Sequence, residues 1–409
     1  MNVPASLARD ISPPQPLKRR RTAGISSPAA AYLPNPNIEP TIVAIEAGKA
    51  KIDDHLSYFK NHLAKSHRQT PADVARLSIS DFATLYHGNE NEHGRHFVIH
   101  QHNHPRAGVH YDLRLQFSKT SSMSFAVPKG LPGNPNSKSI GRMAIETRVH
   151  NYWNHLIESA SSKTGSLLIW DTGTYEVLPR KTGGRNRKGM PSPQTTDDEE
   201  TELDSDEETS RKPTRTTGIE HENDKLITAF QTRYIRLRLH GTRLPKNYTI
   251  VMRLPTNEII QHPTVRRKSR HKPLVHKIKL QSDSEAEDQV DLQNPMSVPG
   301  EEIDTDTDED VQTRATNAYP GSTNDIGSIH QRHWFMQLDR QNSGFVVDDT
   351  SGGKVKWVRG PDGSGFEPFL VRGRDYERSV VTGRLAREVE SDQGVYNFVG
   401  RAGWMGIEH

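Results

Sequence analysis

The chain has 409 residues, 32% of them hydrophobic, a formal net charge of +3 and no cysteine, with a mean hydropathy of -0.79. That balance is too polar for one compact domain of this length, so roughly 240–270 residues are expected to be ordered and the rest disordered. The lack of cysteine excludes disulfides and thiolate metal sites, and no apolar run is long enough for a membrane span or a secretory signal.

Residues 1–40 are rich in Pro, Ala and Ser and read as a disordered basic tail. Within it, Lys18, Arg19, Arg20 and Arg21 look like a nuclear import signal, while Pro13, Pro14 and Pro16 would break an amphipathic presequence. Residues 41–90 read as a helical flank. Ile45, Ile52, Leu56, Phe59 and Leu63 place an apolar stripe on a helix over 42–67, and a second short helix is expected over 73–85. Residues 91–182 alternate short apolar runs with turn signals, which predicts strands over 97–101, 111–117, 123–127, 142–147, 166–171 and 174–178. Residues 183–222 read as an acidic disordered insert, with Ser205 and Thr209 as phosphorylation candidates among carboxylates. Strands return in 223–260, over 234–240 and 248–254.

A second charged insert is expected over 261–326, opening with the basic run 266–272 and carrying acidic runs over 282–288 and 301–310. Closing strands are predicted within 327–372, over 334–338, 345–347 and 354–358. In 373–409 a helix is expected over 377–389, with Val380, Val381, Leu385 and Val389 on one side and Gly394 ending it. Phe398, Trp404 and Ile407 are expected to pin the end of the chain to the body. Many short strands and few helices predict a mainly β fold: a small closed or partly open β-barrel with flanking helices and long disordered inserts. With the acid confined to the inserts, the folded body is basic, which suits a nucleic-acid partner.

Two of the predicted strands concentrate chemistry. His100, His102 and His104 share one face of the first; His110, Asp112 and Arg114 share one face of the second. Pro105 and Gly108 between them favour a loop, hence an antiparallel pair. His102, His110 and Asp112 then form a two-histidine, one-carboxylate set suited to Mn²⁺, Fe²⁺ or Zn²⁺, with His104 as an alternative to His102. Arg114 beside it is placed to hold a phosphate bidentately, and a metal next to an arginine points to phosphate-ester chemistry.

The strings Phe97-Val98-Ile99-x-x-His102 and His110-Tyr111-Asp112-Leu113-Arg114-Leu115 resemble the 3′-phosphoesterase module of bacterial DNA ligase D. Further strings follow in that family's order: Phe125-Ala126-Val127-Pro128-Lys129-Gly130, then Met143-Ala144-Ile145-Glu146 with His150. Ile169-Trp170-Asp171-Thr172-Gly173-Thr174-Tyr175-Glu176, Leu237-x-Leu239-His240-Gly241-x-x-Leu244 and Trp334-Phe335-Met336-Gln337 complete the set. The resemblance covers about 95–178, 234–254 and 333–340. It implies a Mn²⁺-dependent β-barrel, with other divalent transition metals as substitutes, that removes a 3′-phosphate or 3′-terminal ribonucleotide from DNA or RNA and leaves a ligatable 3′-OH. Carried over residue by residue, His102, His110 and Asp112 would hold the metal. Arg114 would bind the scissile phosphate, His150 would contact phosphate or protonate the leaving group, and Lys129 would add positive charge. His100, where the family usually has Gln, would join Arg114 and Lys129 in binding substrate.

Other departures from the family are a longer loop between His102 and His110, Arg148 in place of an acidic residue, Asn154 in place of Tyr, and a reduced turn over 159–165. No adenylation or polymerase motif is present, and 373–407 has no counterpart in the module. The leading expectation is a stand-alone nuclear enzyme of a eukaryotic, fungal-like protein, monomeric, with no membrane association, reaching DNA-repair proteins through its tails. Two other classes compete. One is an end-binding module of the same fold with weakened catalysis. The other is an iron oxygenase using His110-x-Asp112, with His150 or His240 as third ligand and Arg253 for a 2-oxoacid.

Overall fold

The computed structural model describes residues 41–46, 50–180, 220–255, 308–348, 355–396, 398–401 and 403–407. The basic run 18–21, the acidic runs 197–208 and 282–288, most of 301–310, and the basic run 266–272 lie outside the described residues.

Three helices lead into the sheet: α1 (Ile42–Glu46), α2 (His55–Lys65) and α3 (Ile79–Gly88). The single helix expected over 42–67 is interrupted because Asp54 leaves helical geometry and caps α2, accepting the Ser57 N–H at 2.9 Å. Ser78 caps α3 in the same way, so that helix starts six residues later than the pattern over 73–85 predicts. The skipped stretch bonds elsewhere, with the Leu77 N–H donating to Val380 O at 2.8 Å.

The strands run in chain order β1 (His96–His104), β2 (Gly108–Gln116), β3 (Ser121–Val127), β4 (Gly141–Glu146), β5 (His150–Asn151), β6 (Ser159–Ser161) and β7 (Gly165–Val177). Helix α4 (Glu222–Gln231) precedes β8 (Tyr234–Gly241) and β9 (Thr249–Arg253); α5 (Asp308–Thr316) precedes β10 (His333–Leu338). The neighbour order β1-β2-β3-β4-β10-β9-β8-β7 closes through a β1–β7 pairing, giving an eight-stranded antiparallel barrel. β11 (Phe345–Asp348) and β12 (Lys356–Arg359) form a separate hairpin, and α6 (Ala386–Asp392) follows. Among the described residues no helix is long and apolar enough to cross a membrane.

β7 is one strand where two were expected. Gly173, in the gap between the two predicted strands, lets β8 approach closely, since a Cβ there would collide with the His240 carbonyl. The register of β1 against β7 shifts between Ile99 and His100, so Trp170 is bulged out of the pairing.

Alternation along the strands sorts residues into two apolar clusters. Phe97, Ile99, Tyr111, Leu113, Met123, Phe125, Leu168, Trp170, Ile250 and Trp334 fill the barrel. Val98 and Ile169 point the other way and pack under Phe59, Leu63, Phe82, Tyr86, Val380 and Val381. The helices and the chain around 380 therefore cover the outside of β1 and β7.

Two further expectations are corrected. The second insert, expected to be disordered to 326, is folded from 308: α5 is followed by buried Ala318 and Ile326, and Ala318 bridges to Val149. The acidic composition up to 310 masked these anchors. The helix expected over 377–389 is confined to α6, because residues before it bond outward: Val380 N–H donates to Ile169 O at 2.9 Å and Thr382 O accepts from Arg68 N–H at 2.8 Å. Gly394 does follow the end of α6, at φ +71°.

Candidate metal and phosphate site

The site sits on the outer face of β1 and β2. Those strands pair with His102 opposite His110 and His100 opposite Asp112. Tyr111 and Leu113, on either side of Asp112, point into the barrel. Gly108, at φ +81°, ends the loop between the strands. The His104 Nδ1 accepts the N–H groups of Arg106 and Ala107 at 3.2 and 3.0 Å, so this ring braces the turn.

His102, His110 and Asp112 each present one ligand atom, all within 4.8 Å of one another. His102 donates Nε2–H to Thr164 O at 2.9 Å, and its Nδ1 lies 3.5 Å from Asp112 Oδ2. His110 donates Nδ1–H to Gly108 O at 3.1 Å, and its Nε2 lies 3.4 Å from Asp112 Oδ1. A carbonyl only accepts, so each backbone bond fixes the tautomer of a neutral ring and turns its lone pair toward the carboxylate. Two aimed imidazole nitrogens and a carboxylate fit a divalent transition metal.

The electrostatics favour an ionised Asp112 and a neutral His110, whereas the carboxylate favours charge on His102. Burial disfavours the Asp112 charge, but His110, His102 and Arg114 outweigh it and hold the carboxyl well below the usual range. Burial pushes His110 down to about 4 against the pull of Asp112. Burial also opposes charge on His102, but there the hydrogen bond and charge of Asp112 prevail and raise it.

Arg114 lies 3.7 Å from Asp112 Oδ2 and donates to Asn154 O at 3.4 Å. His150 enters the same cavity of about 390 Å³. Its Nδ1 lies 3.3 Å from the Asn154 amide and its ring 4.8 Å from that of Tyr319. With the amide donating to Nδ1, the neutral ring carries its proton on Nε2.

Five of the expected site residues thus line one cavity: His102, His110, Asp112, Arg114 and His150. Two do not. His100 is fully buried below it, donating Nε2–H to Ile157 O at 3.2 Å, and Lys129 is exposed in the turn after β3. His240, 3.5 Å from Glu176, and Arg253, bonded to Gln337, also lie outside it, so neither completes the oxygenase arrangement.

Sequence reading missed Tyr319 and His330 as cavity residues, along with Arg106 and Arg401. Tyr319, His330 and Arg401 carry no local pattern, since they arrive by long-range packing, whereas Arg106 sits in the loop between β1 and β2 itself. Glu146 carries much of that packing. Fully buried, it accepts Ile329 N–H at 2.8 Å, Arg332 Nε–H at 2.7 Å and Trp334 Nε1–H at 2.8 Å, fixing the loop that holds His330.

Residues 100–252 match the family model of the DNA ligase D 3′-phosphoesterase domain. The multifunctional non-homologous end joining DNA repair protein LigD of Mycobacterium tuberculosis is 38% identical over 132 residues, which is 31% of this chain and 15% of that protein. The corresponding protein of Mycolicibacterium smegmatis is 37% identical over 85 residues, 20% of this chain and 10% of its own length. The chain therefore spans about 15% or less of the length of these relatives. The family resemblance seen in the motifs holds for this part of the chain.

Proposed function

We propose that this chain is a divalent-metal-dependent phosphoesterase that removes a 3′-phosphate, or a 3′-terminal ribonucleotide, from a nucleic-acid end and leaves a 3′-OH. The observation that carries this reading is the pair of tautomer-fixed imidazoles around Asp112, two residues along β2 from Arg114, inside the region that matches a 3′-phosphoesterase family.

His102, His110 and Asp112 would hold the metal, read here as Mn²⁺, and it would supply a bound water of lowered pKa and charge on the phosphate oxygens. Arg114 is anchored by Asp112 and Asn154 and presents its guanidinium to the phosphate as charge accumulates in the transition state. His150 offers Nε2–H to a phosphate oxygen or to the departing 3′ oxygen. Arg148 and His330 line the wall of the same cavity. The run Lys18–Arg21 is read as directing the protein to the nucleus.

The test is a primer–template with a labelled 3′-phosphate, incubated with Mn²⁺ or with EDTA, beside His110→Ala. Metal-dependent release that disappears in the variant supports the reading. No release, with DNA binding retained, replaces it with an end-binding module.

A further inference from the structure

The chain after residue 371 builds a second cavity that opens beside the first. It has a volume of about 570 Å³ and shares Arg401 with the metal site's cavity. Its wall carries Arg372, Arg374, Tyr376, Phe398 and Trp404. All of these lie outside the segment 100–252 matched by the family model.

The wall is built rather than accidental. Trp404 donates Nε1–H to Pro128 O at 2.7 Å. Arg374 is held 2.9 Å from the buried Glu390, which also accepts from Asn103 and Ser166 at the ends of β1 and β7. The Arg372 guanidinium stands 5.5 Å from the Tyr376 ring centre, and Arg374 stands 5.8 Å from that of Phe398. Arg401 runs over Gly108, at the turn of the hairpin that carries His110. Among the described residues lining this groove the acid is Asp375, 3.9 Å from Arg374. Tyr376 is 69% exposed, so a face of its ring is open to solvent beside Arg372.

We propose that this groove binds a single-stranded nucleic acid continuous with the 3′ end at the metal site. The assignment rests on the phosphoesterase reading of the neighbouring cavity. Arginines alternating with aromatic faces suit a strand whose phosphates track the cations while its bases stack on the rings. A duplex hides those base faces, so an unpaired strand is the occupant that uses both features. Arg401, present in both cavities, is the point at which the backbone passes from one to the other.

The experiment measures fluorescence anisotropy of the full chain in EDTA, where no turnover is needed. The probes are labelled oligothymidylates of two and twelve nucleotides with a 3′-phosphate, and a blunt duplex of twelve base pairs. The wild type is expected to bind the longer strand more tightly than the dinucleotide. Tyr376→Ala and Arg372→Gln are each expected to weaken the longer strand at least about fivefold and to flatten the length dependence. Circular dichroism and unchanged thermal unfolding establish that both variants fold. Unaltered affinity for the longer strand in both variants overturns the proposal, as does a loss confined to the duplex. Failure to release 3′-phosphate, with this length dependence intact, would instead count against the catalytic reading alone.

Discussion

Asp171 and Leu244 tie together two strings that lie more than seventy residues apart: Asp171 Oδ2 accepts the Leu244 N–H at 2.8 Å. Its other oxygen takes the N–H groups of Thr242 and Arg243 at 2.8 and 2.9 Å. A fully buried carboxylate thus organises the turn between β8 and β9. Burial raises its pKa, and the backbone donors oppose that rise. Asp171→Ala leaves those donors without an acceptor and is expected to cost about 3 kcal/mol, read as a lower urea midpoint. A variant as stable as the wild type would remove this role.

Glu146→Gln should separate placement from chemistry. It keeps the shape but loses the charge that Arg332 faces at 2.7 Å. We expect a stability loss of about 3 kcal/mol and, below the unfolding temperature, a fall in kcat/KM through the displaced His330 loop. Lost stability with unaltered kinetics would confine Glu146 to the fold.

Metal binding should appear without turnover. Mn²⁺ at a hundred times its Kd is expected to add about 2.7 kcal/mol to unfolding. His110→Ala and Asp112→Ala should abolish that gain, as read by thermal unfolding with and without EDTA. An equal gain in both variants would place the ion elsewhere.

Arg114→Lys retains the charge and loses the planar fork, so it is expected to lower kcat/KM about a hundredfold on a 3′-phosphate. Near-normal rates would mean that charge alone suffices there.

Acid should unfold the protein through its buried imidazoles. His96 and His155 place their Nδ1 atoms 3.2 Å apart, both with no exposure. Burial pushes His96 down to about 3, and burial with the neighbouring His96 drives His155 well below its ordinary value. The unfolded chain, with imidazoles near ~6.5, takes up protons first. Stability from His96 is therefore complete above that pH and declines as pH falls toward about 3, by up to ~1.4 kcal/mol per pH unit. Urea midpoints from pH 7 to 4.5 should fall in the wild type and fall less steeply in His155→Leu; parallel curves would rule this out.

The site's inner ring was legible because strand alternation is a local property. Once His102, His110 and Asp112 were placed on two paired strands, a period of two carried them to the same face. The barrel was legible for the same reason. His100 shows the limit of the argument: it shares that face, but the strand carries it past the cavity floor to Ile157. Lys129 follows β3 into a turn whose direction its sequence does not specify. His330, Tyr319 and Arg401 could not be found locally, because Glu146, the Val149–Ala318 bridge and the chain after residue 371 bring them in from afar.

The position of β10 bears on how the molecule comes to exist at all. It lies between β4 and β9, yet follows β4 by nearly two hundred residues. Until it arrives, β4 and β9 are open edges with unpaired backbone groups, and the apolar interior has a gap where Trp334 and Met336 belong. A chain emerging from the ribosome therefore holds an unfinished barrel through both long connections, and the wall closes only with its last strand. Extra length in those connections adds only about 0.6 kcal/mol per doubling to closure. The exposure lasts as long as synthesis of the connections takes, which makes the nascent chain, more than the finished protein, the form that needs protection from aggregation.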